Sequence, residues 1–124
     1  MSLKEYFATA RGHGILSTAD VHGVVNSAVY APPHFVDEHN VAFIMRHRIS
    51  HHNVVDNPSA CYMFIEEGKM EGKRLHLRRI KEEKNSELLF KLRRRCSKDE
   101  TIDEDLYLVF FRIEQVRPLI GYGS

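Results

Sequence analysis

A chain of 124 residues fits one domain, 1–124, with a real but modest hydrophobic core. Its 43% hydrophobic and 28% charged residues suit a soluble globular fold, and no run approaches the roughly 18 consecutive apolar residues of a membrane span. A formal net charge of +1 gives the molecule as a whole no pull on nucleic acid or an anionic membrane, so electrostatic recognition has to be local.

Ser2 and Glu5 form a capping-box pattern, and Leu3, Tyr6, Phe7 and Ala10 follow at helical spacing, with Gly12 able to close the helix. This N-terminus lacks the apolar stretch of a signal peptide, and the two cysteines, Cys61 and Cys96, form neither a CxxC pair nor a disulfide framework. Both features place the expected compartment in the cytoplasm. The cysteines read as one in a strand and one at a helix end.

GILSTA (14–19) and VVNSAVYA (24–31) are β-prone runs joined by ADVHG, a hairpin whose turn is framed by Asp20 and Gly23. Pro32 and Pro33 end that ladder. After a turn at 37–40, VAFIM (41–45) reads as a strand buried on both sides. It leads into MRHRISHHNVVDNP (45–58), where Ser50 is the expected N-cap of a short helix that Asn57-Pro58 stops. SACYMFIEE (59–67) is a further strand, and KRLHLRRIKEE (73–83) alternates, with Leu75 and Leu77 on one face and Arg74, His76 and Arg78 on the other. Ser86 caps a helix with Leu88, Leu89 and Leu92 expected inside and Arg93, Arg94 and Arg95 in its last turn, where cations complement the dipole. The acidic segment SKDETIDED reads as a loop, and LYLVFFRIEQV (106–116) as the last strand. Six strands joined by short turns predict a mainly β fold with flanking helices: a six-stranded antiparallel barrel.

The cationic stretch at 46–52 is the candidate site. For a metal, His47, His51 and His52 lack the spacing of a metal finger or HExxH motif, and a helix start at Ser50 takes His47 and His51 off one helix face; the reading is that no metal binds. A single exposed histidine could still ligate haem. For a phosphate, a helix N-terminus offers unpaired amides and partial positive charge, to which Ser50 adds a hydroxyl and Arg46, Arg48 and His51 add charged donors. For nucleic acid, KRLHLRRIK and KLRRRCSK are basic but carry no aromatic residues for stacking on the basic face of the first segment. Phosphate is the favoured ligand and nucleic acid is not expected. No nucleophile stands with its base, so an enzyme built on this chain would rely on a cofactor.

Taken together, GILSTADVHG, with Gly14, Leu16, Thr18, Asp20 and Gly23, and the segment before the next core strand, with Asn53, Val54, Asn57 and Pro58, resemble the FMN-binding split-barrel superfamily. The likeness is to small members of the pyridoxamine 5′-phosphate oxidase-like family, over nearly the whole chain. It implies a split β-barrel, FMN as cofactor, a homodimer with the cofactor at the subunit interface, and a flavin-dependent oxidoreductase; a flavin or haem carrier or sensor on the same barrel is the alternative. It also implies that Asn26, Ser27, Ala28 and Val29 line the flavin ring, that Arg74 and His76 stand on a neighbouring strand, and that Arg117 could reach flavin or partner. The family's phosphate-binding serine and lysine fall on Arg48 and Ser50, so a cation and a serine remain in exchanged order. An interface is further expected to cover one of the two apolar faces of strand 106–116, where Tyr107, Val109 and Phe111 back onto Leu106, Leu108 and Phe110.

Overall fold

A computed structural model describes residues 2–96 and 105–121. The acidic segment therefore lies outside the described residues over 97–104, as do the tail residues 122–124. Helix α1 (Leu3–Thr9) opens on Ser2, whose hydroxyl accepts from the Glu5 amide while the Glu5 carboxylate accepts from the Ser2 amide, completing the capping box. The helix stops at Ala10, and Gly12 begins the first strand instead of ending the helix.

The strands are β1 (Gly12–Ala19), β2 (Val25–Val29), β3 (His34–Phe35), β4 (Asn40–Arg46), β5 (Ser59–Glu66), β6 (Gly72–Lys84) and β7 (Leu106–Pro118). Helix α2 (Ile49–Asp56) joins β4 to β5, and α3 (Glu87–Cys96) follows β6. Among the described residues there are seven strands, not six: just after Pro32-Pro33, two residues recover a ladder against the start of β4. Every pairing is antiparallel, in the order β2-β1-β5-β6-β7-β4-β3. The sheet stays open, because β2 and β3 are its two edges and do not pair with each other.

It nevertheless curls around one core. Phe43 on β4 lies 5.3 Å, centroid to centroid, from Tyr62 on β5, although β6 and β7 separate those strands in the sheet. Leu16, Tyr62, Phe64, Leu75, Val109 and Phe111 fill the same interior, and α1 inserts Phe7 against it. Gly14 is required here, since a Cβ would strike the Tyr62 hydroxyl, which donates to the Tyr30 carbonyl at 2.9 Å. The β1–β2 turn is set by Asp20, which accepts from the amides of His22 and Val24, and by Gly23 at φ 83°.

The second face of β7 is covered within the chain. Leu106, Leu108 and Phe110 pack with Ala42 under Leu89 and Leu92 of α3, so this face needs no partner subunit. Ser86 caps α3, accepting from the Leu89 amide. Leu88 points outward instead of inward, because the helix phase that seats Leu89 and Leu92 rotates their neighbour to solvent.

Candidate functional site

The opening between the two sheet edges is a cavity of about 580 Å³. Its first wall is β2 and the chain just beyond it, from Asn26 to Pro32. Opposite stand Phe43, Ile44 and Arg46 of β4; below, Arg48, Ile49 and Ser50 open α2; Arg93 of α3 and Leu106 complete the lining. On its outer side β4 is paired with β3 only at Val41 and Ala42, so the backbone beyond them has no strand neighbour there among the described residues. The free edge of β2 faces the same space. Two unpaired ladders bordering one cavity offer backbone donors and acceptors to a polar planar ligand.

At the base of the cavity the chain turns sharply, with the Arg48 amide on the Arg46 carbonyl at 2.8 Å, and α2 begins. The N-cap is Arg48, in extended conformation, and not Ser50. Ser50 sits inside the first turn, because the tight turn at Arg46 starts the helix earlier than the hydroxyl alone suggested. The first intrahelical bond runs from the His52 amide to the Arg48 carbonyl, leaving the amides of Ile49, Ser50 and His51 with no acceptor in the helix.

The Ser50 hydroxyl is buried against β2, where Asn26 Nδ2 donates to it at 3.4 Å. Tyr30 joins this group. Burial pushes its phenol up, opposed by a hydrogen bond with Ser50 and by the nearby charges of Arg46 and Arg48, and the phenol therefore stays protonated at neutral pH.

Of the residues that the sequence singled out, Asn26, Ser27, Ala28, Val29, Arg46, Arg48 and Ser50 converge on the cavity. Along β2, Asn26 and Ala28 turn inward, while Ser27 faces out and shares a 2.8 Å hydrogen bond with Ser17. Asn53, His51 and Arg74 do not line it. Asn53 is buried and donates to Thr18 Oγ1 at 3.1 Å, tying α2 to β1. His51 points to the opposite side of α2, between Glu82 and His47. Arg74 reaches the carbonyls of Pro118 and Gly121, and Arg117 bonds to Gln115. Tyr30, Arg93 and His34 line the cavity without having been singled out for it. Tyr30 was legible as the next inward position after Asn26 and Ala28; Arg93 was not, because its place depends on how α3 packs. Among the described residues His34 is the histidine that lines the cavity, and His47, His51 and His52 do not. Among the described residues no group of three or more metal-ligating side chains comes together.

No protein-family model matches the chain, and no curated protein matches it in sequence. Solved structures do match, and their fold is the FMN-binding split barrel. An FMN-binding protein from Syntrophomonas wolfei superposes with a TM-score of 0.77 at 13% identity, over 95% of this chain and 84% of its own. An F420 reductase gives 0.73 at 14% identity, over 94% and 97%. A protein assigned as a pyridoxamine 5′-phosphate oxidase from Lactobacillus delbrueckii gives 0.70 at 12% identity, over 94% and 91%. The described helices include none long and apolar enough to cross a membrane.

Proposed function

We propose that this chain binds FMN in the split between β2 and β4, works as a homodimer, and is a flavin-dependent oxidoreductase. The observation that carries the reading is the convergence, at one cavity, of a free strand edge, Arg46 at the end of β4 and a helix N-terminus bearing Arg48 and Ser50. That combination fits a ligand with a planar polar ring at one end and a dianion at the other. The open amides and the Ser50 hydroxyl suit phosphate oxygens, and the guanidinium groups supply charge. Ala28, Val29, Pro32 and Phe43 give the other end an apolar lining, and the volume lies within the usual range for small-molecule sites, roughly 300–1,000 Å³. Bound flavin supplies the hydride or electron transfer; the protein anchors and orients it.

The dimer is supported by the outer face of the sheet. Val29, Ile15 and Met63 stand in register there, as do Ser27, Ser17, Cys61 and His76. Val29 is 80% exposed and also borders the cavity, so a second copy seated on this face would close the cavity mouth. His76 Nε2 is buried on the same face with no hydrogen-bond partner among the described residues, and a neighbouring subunit would supply one.

The test is a fluorescence titration of the purified chain with FMN, together with its mass in solution. Flavin bands that travel with a dimer are expected, and Arg48→Ala/Ser50→Ala should weaken FMN roughly tenfold or more while the chain stays folded. A colourless protein that ignores FMN overturns the reading, and an unchanged affinity in the double variant removes α2 from the site.

A further inference from the structure

The first turn of α2 faces two ways, since successive helix residues are about 100° apart. Ser50 turns to the cavity; His51, 3% exposed, turns to the body of the protein. There His51 Nε2 lies 3.1 and 3.2 Å from the two carboxylate oxygens of Glu82, and its Nδ1 lies 2.9 Å from Nδ1 of His47. Its ring stacks on Tyr107 of β7, centroids 4.0 Å apart and planes 22° from parallel. Glu82 is held in turn by Arg79 Nη2 at 2.9 Å. Lys84, paired with Asp105 at 3.1 Å, lies 6.0 Å from the Tyr107 ring centroid. Every polar atom of the imidazole is thus spoken for.

This arrangement admits one neutral tautomer. A carboxylate only accepts, so the His51 proton is on Nε2, and Nδ1 must accept from His47.

We propose that His51, locked between Glu82 and His47, is a positioning residue for the cavity: it fixes the rotation of the α2 first turn that presents the Ser50 hydroxyl and the open amides to a bound phosphate. The inference rests on the flavin reading above. It assigns His51 a role behind the phosphate site instead of within it, and it makes phosphate binding and the His47–His51 hydrogen bond reciprocal partners, each biasing the other.

The experiment compares FMN with riboflavin, which lacks the phosphate, so that the ratio of their dissociation constants isolates the phosphate's share. In Glu82→Gln and His51→Gln that ratio is expected to fall roughly fivefold to tenfold with riboflavin affinity unchanged. Nitrogen-15 NMR of the histidine rings supplies a readout that simple structural support would leave alone. In the wild type, FMN should move the His51 Nδ1 resonance and riboflavin should not; in Glu82→Gln the ring should lose its single tautomer. His47→Ala, at an exposed position, tests the same bond should His51→Gln fail to fold. An unchanged ratio in Glu82→Gln and His47→Ala, or a His51 resonance indifferent to FMN, overturns the inference while leaving the flavin reading intact. A wild-type chain that binds riboflavin and FMN equally overturns the inference too, and one that binds neither removes both.

Discussion

The two halves of the sheet are built to opposite rules. From β1 through β5, β6 and β7 to β4 the ladder is continuous, and its inner face is a sealed core of Leu16, Tyr62, Phe64, Leu75 and Phe111 with almost no solvent access. At β2 and β3 the ladder stops, backbone groups are left open, and the inner face mixes polar groups with apolar ones: Asn26, Ser50 and Tyr30 beside three arginines, with Ala28, Pro32 and Phe43. The closed half supplies stability, and the open half holds the cavity where the proposed ligand would sit. A split barrel gets its ligand site from the hydrogen bonds it omits, because an unpaired strand edge is a row of oriented donors and acceptors awaiting a partner.

Substitutions can separate the halves. The largest effect is expected in the closed one: Leu75→Ala empties a fully buried position and should cost about 3 kcal/mol in a urea denaturation, with FMN affinity unchanged below the transition. If FMN affinity fell in parallel, the halves would not be independent. A smaller effect is expected where the proposed dimer would seat a second copy against the open half. Val29→Asp puts a charge on the exposed face at the cavity mouth and should raise the dimer dissociation constant roughly tenfold or more, read by mass in solution, without lowering the stability of the isolated chain. A dimer that survives unchanged would place the interface elsewhere.

The smallest effect concerns the ion pair behind α2. Burial alone would raise the Glu82 carboxyl, but the hydrogen bonds and charges of Arg79 and His51 outweigh it and hold its pKa below the ordinary value of 4.5. A depressed carboxyl pKa contributes stability that is present above the unfolded value and is lost as pH falls through the folded one. The wild type should therefore lose stability more steeply than Glu82→Gln below about pH 4.5, in unfolding curves taken from pH 6 to pH 3. Parallel curves would show that the pair adds nothing.

Much of this was legible in the sequence, for identifiable reasons. The capping box at Ser2 and Glu5, the Asp20–Gly23 turn and the alternation about Leu75 and Leu77 are local, and local chemistry fixed them. The cavity base at 46–50 was legible as a candidate site because a helix start, a hydroxyl and cations fall within five residues. What misled was phase. A two-residue shift of the helix start decided whether Ser50 caps α2 or sits within its first turn, and whether His51 faces the cavity or Glu82.

The chain by itself determined six of the seven strands described, the helices, most of the turns between them and the position of the cationic junction, since periodicity, caps and prolines act over a few residues. Only the tertiary structure decided which strand edges stay open and that α3 covers the outer face of β7. It also decided that Glu82, 31 residues downstream, reaches back to within hydrogen-bond distance of His51 Nε2. Those outcomes depend on how the sheet curls and which distant elements it brings within hydrogen-bond reach, and no local pattern encodes such a distance.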